Sequence, residues 1–301
     1  MPRMPKVTAR QWSIFILVLS NVIWGSTFPL IKTSLGTLSP SVLVMARFVV
    51  AAIALLPVVG MRLRPVSLAV APVGPSSHLS KGLILDGIGV SVLMFSAVLT
   101  QAIGLETAPA NRAAFITSLN VILVPIFARL LGRKISIRVA IAAGLALAGV
   151  GLLSWEGGAL GVGDLWVLLC AACWAVYILR MERIVQRYSA TALTTVQVVA
   201  IALLSLLWAA PHIASQTAAL IVSAAVVLYL GLFATALTTW TQASAQRHLS
   251  ATEAAILYTL EPVFASLFAF WWLGERWGLR GWLGGGVILA ATLLSQLRSR
   301  T

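Results

Sequence analysis

The 301-residue chain carries 21 Lys and Arg against 8 Asp and Glu, a formal net charge of +13, yet only 10% of it is charged and 60% is hydrophobic. Soluble domains carry roughly 25% charged residues, so this composition excludes a soluble globular domain and points to a lipid bilayer. The basic residues sit in short loops between apolar runs rather than in a water-exposed groove with aromatics, which excludes a nucleic-acid partner.

A spanning helix needs roughly 20 mostly apolar residues. Pro, Gly and charge punctuation divides the chain into ten such runs, at 12–35, 40–60, 82–104, 109–131, 135–154, 162–182, 190–210, 217–243, 249–272 and 279–297. Arg3, Lys6 and Arg10 before the apolar run from Trp12 have the layout of a signal peptide. No small-residue cleavage site follows, however, and the run continues through Asn21 and Trp24 toward Lys32, so it reads as an uncleaved first helix. The long connection from Arg62 to Lys81, with Pro65, Pro72 and Pro75, reads as a polar surface loop. Cys170 and Cys173 have the spacing of a redox pair, but Leu168 to Trp174 is apolar throughout, which favours core packing. His78, His212 and His248 fall in loops or helix ends and share no ligand spacing. Neither an enzyme, a metal site nor a cofactor is expected.

The second half repeats the first. Without gaps, Gln101-Ala102 falls on Gln242-Ala243, and Ala110, Ala113, Ala114, Leu119, Phe127 and Ala128 fall on Ala251, Ala254, Ala255, Leu260, Phe268 and Ala269. A one-residue slip then brings Leu131-Gly132 onto Leu273-Gly274 and Arg138 onto Arg280. Two copies of one unit are expected, 1–154 and 155–301. With the N-terminus inside, one face collects Arg3, Lys6, Arg10, Arg62, Arg64, Lys81, Arg129, Arg133, Lys134, Arg138, Arg180, Arg183, Arg187, Arg247, Arg298 and Arg300. The other holds Lys32, Arg112, Arg276 and Arg280. This asymmetry predicts both termini in the cytoplasm and an even number of spans. Repeats of an odd number of helices are then inverted relative to each other, the layout of carriers that bind substrate between two halves and expose it to each side by rocking.

The sequence resembles the EamA-type members of the drug/metabolite transporter superfamily. The matching stretches are Asn21-Val-Ile-Trp-Gly-Ser-Thr-Phe28, Arg47-Phe48, Thr117-Ser-Leu-Asn-Val-Ile-Leu-Val-Pro125, Leu260-Glu-Pro-Val-Phe264 and Leu273-Gly-Glu275. The resemblance implies an all-α integral membrane fold of ten transmembrane helices, as two inverted five-helix repeats around a central cavity. It also implies a secondary carrier of small metabolites, with exporters of amino acids, including aromatic ones, as the nearest relatives in kind. A bacterial inner-membrane location follows from the same resemblance. Expected partners are a small-molecule substrate and the bilayer, with a homodimer left open.

Polar side chains within spans are expensive and usually face the bundle interior or a wet cavity. In the first helix Asn21, Trp24 and Phe28 share a face; Trp174 and Tyr177 take the corresponding place in the sixth. Interhelical hydrogen bonding and interfacial anchoring are the competing readings. Gln101 and Gln242 end the third and eighth helices at equivalent positions, with Thr235 and Thr238 on the Gln242 face. Their amides suit an ammonium or a carboxylate, or each other. The ninth helix supplies Tyr258 and Glu261, with Pro262 next; the counterparts of these two residues in the first copy are Thr117 and Asn120. Three readings of Glu261 stay open: a coupling proton, a substrate amine, or a structural pair such as one with Arg47. Arg47 itself is expected to snorkel toward the outer face by default. Gly144, Ala148 and Gly284 to Gly286 are expected to permit close packing of the fifth and tenth helices.

Apart from Arg47, the spans hold little positive charge at mid-depth, which disfavours nucleotide sugars and sugar phosphates. Trp24, Phe28, Trp174, Tyr177, Trp240 and Tyr258, interleaved with amides and hydroxyls, suit a small amphiphile such as a neutral zwitterionic amino acid. Export of drugs or nucleobases, and a channel-like pore, are the alternatives.

Overall fold

The computed structural model describes residues 8–62, 80–154, 160–273 and 278–296. Every regular element among them is helical. The 63–79 stretch, both chain ends and the Gly274-Glu275 motif lie outside the described residues. In chain order the helices are α1 (Ala9–Gly25), α2 (Thr27–Ser34), α3 (Pro40–Arg62), α4 (Lys81–Thr107), α5 (Ala110–Thr117), α6 (Asn120–Leu130), α7 (Ile137–Ser154) and α8 (Val162–Ile184). They continue with α9 (Ala190–Ile213), α10 (Thr217–Val222), α11 (Ala224–Gly231), α12 (Thr238–Ala245), α13 (Ala251–Tyr258), α14 (Glu261–Leu273) and α15 (Leu279–Gln296). Seven helical stretches among the described residues are long and apolar enough to cross a membrane, and α7 and α15 add two shorter apolar helices. The 27 residues of α4 rise about 40 Å, more than the roughly 30 Å hydrocarbon core.

Burial is arranged as it is in lipid. Leu207 is 76% exposed and Leu293 70%, whereas Ser205 and Gln197 are fully buried and hydrogen-bonded. Apolar side chains therefore cover the outside, and polar ones hydrogen-bond within the bundle.

The expectation of continuous first, fourth, eighth and ninth helices is corrected. Ser26 separates α1 from α2, Ser118 and Leu119 separate α5 from α6, and Thr259 and Leu260 separate α13 from α14. At each break hydroxyls compete for the helical ladder. Ser26 Oγ donates to the Ile23 carbonyl at 2.7 Å and Thr27 Oγ1 to that of Trp24 at 2.8 Å. Ser118 Oγ donates to Ala114 at 2.9 Å, and Thr259 Oγ1 to Ile256 at 2.6 Å. Pro29 and Pro262 lack the N–H that would bond the carbonyls of Gly25 and Tyr258 one turn earlier. Between α11 and α12, residues Leu232–Leu237 form a π-helical turn. There Thr235 Oγ1 donates to the Leu230 carbonyl, five residues back, at 2.8 Å.

Helix packing is unchanged in pattern when the two halves of the sequence are exchanged. α3 lies on α9 and α7 on α15; α4 lies on α8 as α12 lies on α1; α6 lies on α8 as α14 lies on α1. The α7–α15 contact centres on Gly149 and Gly284. A β-carbon at Gly149 would sit 2.9 Å from the Gly284 carbonyl oxygen, and one at Gly284 would sit 2.7 Å from that of Gly149. Gly144 and Gly286, expected at this contact, face open space instead.

The end of the bundle where α1 begins is tied by ion pairs. Arg10 meets Glu253 at 2.7 Å, Arg133 pairs with Glu182, and Arg187 approaches Asp86 at 3.6 Å. At the opposite end Arg112 meets Asp164 at 3.0 Å, and Lys32 Nζ donates to the carbonyls of Leu105 and Ala108 at 2.5 and 3.1 Å.

Candidate functional site

The helix interruptions surround a chamber whose open space, counted together with the part continuous with the surroundings, is about 640 Å³. Trp24 and Thr27 flank the first break, Thr117 and Asn120 the second, and Tyr258 and Glu261 the third, and all six line the cavity. Ala234, within the π-helical turn, lines it too, as do Thr238, Thr239 and Gln242 just beyond. Irregular backbone is tolerated at membrane depth where it is buried in protein or borders a cavity, so the hydroxyl-rich sequences that break the helices also shape the site.

Of the expected residues, Trp24, Gln101, Thr117, Asn120, Trp174, Thr238, Gln242, Tyr258 and Glu261 converge here. Three do not, and those expectations are corrected. Asn21 is fully buried and outside the lining; its Nδ2 donates to the Leu17 carbonyl at 2.7 Å, and its Oδ1 has no partner. Phe28 packs into an apolar cluster with Ile31, Leu43 and Leu105. Tyr177 is fully buried, and its hydroxyl donates to Gln197 Oε1 at 2.9 Å on α9. Its ring supports the site only indirectly, edge-on to Trp174 with ring centres 5.3 Å apart. Trp240 lies toward the outer surface, its indole N–H donating to Thr191 Oγ1 at 3.3 Å.

Sequence reasoning missed Thr239 and the apolar Met94, Val98 and Ile178, which with Thr27, next to the Trp24 face, complete the lining. Arg47 is the larger revision. Instead of snorkelling outward it is 8% exposed, and it lines the cavity. Its Nε donates to Thr235 Oγ1 at 3.0 Å, and Nη2 reaches the Ala234 carbonyl at 3.5 Å. The same carbonyl accepts the Trp24 indole N–H at 3.2 Å. A wider π turn loosens the regular ladder and presents its carbonyls sideways, which gives both side chains an anchor. Gly231 makes this approach possible, because a β-carbon there would lie 2.9 Å from the Arg47 carbonyl oxygen.

The walls are aromatic and the lining atoms polar. Trp24 and Tyr258 meet edge to face with centres 5.5 Å apart. Asn120 Oδ1, Thr239 Oγ1, Gln242 Oε1 and Tyr258 Oη are buried without a hydrogen-bond partner in the protein. Buried polar atoms are normally satisfied, so four unpartnered ones around one chamber make it the candidate site for a hydrogen-bonding guest. Among the described residues no ion pair joins Arg47 to Glu261, although both line the chamber.

A model of the EamA-like transporter family matches residues 11–155 and again 161–297. An uncharacterized transporter of Archaeoglobus fulgidus is 29% identical over 286 residues, covering 94% of this chain and 85% of its own. A probable terminal-alkyne amino-acid exporter of Streptantibioticus cattleyicolor is 27% identical over 298 residues, covering 95% and 94%. A crystal structure at 19% identity superposes with a TM-score of 0.72 over 95% of this chain and 98% of that one, which supports the fold alone. Family and relatives alike are transporters rather than enzymes.

Proposed function

Because the chain belongs to the EamA-like transporter family, we propose that it is a secondary carrier exporting amino acids with aromatic or apolar side chains. In this reading it is a ten-span bacterial inner-membrane protein with cytoplasmic termini. Two inverted five-helix halves, 1–154 and 155–301, rock about the central cavity. The break between α5 and α6 and that between α13 and α14 fall at equivalent repeat positions, and the packing exchanges between halves, which supports the two-unit description. The basic face containing Arg10, Arg133 and Arg187 supports the orientation.

The observation that carries the substrate reading is the lining. Trp24, Trp174 and Tyr258 offer flat apolar surface, four unpartnered polar atoms offer hydrogen bonds, and Arg47 and Glu261 contribute a guanidinium and a carboxyl group. A polyanion needs several cations to replace its water, and one arginine does not supply them. A zwitterion with an apolar side chain matches the chamber in charge and surface. Export draws support from the Streptantibioticus relative.

The test is counterflow into proteoliposomes with labelled amino acids, nucleobases and organic cations, with and without a pH gradient. Saturable counterflow strongest for phenylalanine, tryptophan or leucine is expected. Preference for nucleobases or cations, or flux that never saturates, would overturn the assignment.

A further inference from the structure

The chamber contains a buried arginine whose guanidinium carbon lies 5.4 Å from the centre of the Phe48 ring and whose hydrogen bonds all run to one side. Arg47 has two hydrogen bonds, both to the π-helical turn, through Nε and Nη2. A guanidinium carries five N–H donors in a fixed fork, so anchoring one edge fixes its plane and leaves the remaining donors to the cavity. Arg47 and Gln101 also border a second, narrow space between α2, α3 and α4, with room for about one water. Arg47 itself lines the larger chamber, so a guest held there is within the arginine's reach.

Glu261 is complementary in placement. It opens α14 immediately after the break at Thr259-Leu260, and its backbone is clamped against α1, where a β-carbon at Gly25 would lie 3.0 Å from the Glu261 carbonyl oxygen. A basic and an acidic side chain buried in one cavity are normally paired, yet these two are not paired with each other. We infer that Arg47 is the docking point for the substrate's carboxylate and Glu261 for its ammonium, with the Trp24–Tyr258 corner receiving the side chain. This rests on the amino-acid reading above and assigns its polarity. An arginine fork reads a carboxylate in plane through two parallel bonds, whereas a carboxylate accepts from an ammonium with little angular demand. The assignment makes the protein selective for zwitterions over amines and over simple acids of the same shape.

The experiment uses the full chain in proteoliposomes, with counterflow of labelled L-phenylalanine inhibited by three unlabelled probes: L-phenylalanine, L-phenylalanine amide and 3-phenylpropionate. Thermal stabilisation of the detergent-purified protein by each probe supplies a binding readout independent of transport. In the unmodified protein both analogues should bind roughly 10- to 100-fold more weakly than phenylalanine, the effect of one lost charged hydrogen-bonding group. R47Q should weaken phenylalanine and 3-phenylpropionate by a similar factor and leave the amide unchanged. E261Q should weaken phenylalanine and the amide and spare 3-phenylpropionate. If R47Q weakens all three equally, Arg47 is structural and the assignment fails. Should a variant not fold, the unmodified protein still decides, because an amide that competes as well as phenylalanine excludes a carboxylate dock. No counterflow of phenylalanine or of any amino acid in the earlier panel would instead remove the amino-acid reading itself.

Discussion

Two tyrosines and two tryptophans near the middle of the bundle look interchangeable in the sequence and do different things in the structure. Trp24 and Trp174 face the chamber, and Trp24 is steered by a hydrogen bond to the Ala234 carbonyl. Tyr177 turns away to Gln197. Trp24→Ala or Trp174→Ala should therefore raise the half-saturation concentration for an aromatic amino acid about tenfold, the loss of roughly 1.5 kcal/mol of aromatic contact, while the thermal midpoint moves little. Tyr177→Phe should do the reverse, lowering stability by about 1 kcal/mol through the lost interhelical bond with unchanged affinity. Saturation kinetics beside thermal unfolding in detergent separates the two behaviours. Spacing along a helix located Glu261, and equivalence between the two copies located Gln101, Asn120 and Trp174, because a position on a helix is all that those residues require. Neither could locate Arg47, whose default of reaching for water is overridden by a carbonyl and a hydroxyl supplied by a turn about 190 residues downstream, at Ala234 and Thr235.

Apolar run lengths and loop charges made the elements legible, since a bilayer imposes both. The interruptions were hidden because hydropathy does not register them. Ser26, Ser118 and Thr259 are compatible with a continuous helix, and only their bonding to carbonyls one turn back shows where the ladder lapses. Close contacts were similarly ambiguous, since several glycines on α7 and α15 fit a packing seam and the neighbouring helix decides which is used. Gly149→Ala should cost about 1–3 kcal/mol by overpacking the α7–α15 seam. Gly144→Ala, where an added β-carbon meets nothing within 4 Å, should be neutral or slightly stabilising. Equal thermal midpoints for the two variants would show that the seam is not tight.

At the scale of the molecule, the end where α1 begins is tied by Arg10–Glu253, Arg133–Glu182 and Asp86–Arg187, each linking a residue before 155 to one after it, as Arg112–Asp164 does at the opposite end. Partly exposed pairs contribute about 0–1 kcal/mol each, a scale that substrate binding can outweigh, so they suit ties that must reopen. On the proposed orientation the end where α1 begins is the cytoplasmic side. Cysteines replacing Arg3, Val70 or Arg300 in a background without Cys170 and Cys173 should resist an impermeant thiol reagent in intact cells. A cysteine at exposed Thr37, in the turn after α2, should react. Labelling at 3 or 300 with protection at 37 would invert the topology.

The matched breaks carry a consequence for handedness. Thr117 and Asn120 flank one break and Tyr258 and Glu261 flank its counterpart, so the chamber repeats its scaffold while changing its chemistry. Had both sites kept the same residues, a guest could enter in two opposed orientations related by the pseudo-axis. Tyrosine and carboxylate on one side only remove that degeneracy. With the carboxylate, ammonium and side chain each assigned a separate contact, three of the four substituents on the α-carbon are fixed, and mirror images cease to be equivalent. D-phenylalanine should compete in counterflow at least roughly tenfold more weakly than its L form, a single misplaced charged contact being worth about 1.5 kcal/mol or more. Equal competition by the enantiomers would mean that one of the three contacts is not made, leaving a chamber that recognises charge and size and is blind to chirality.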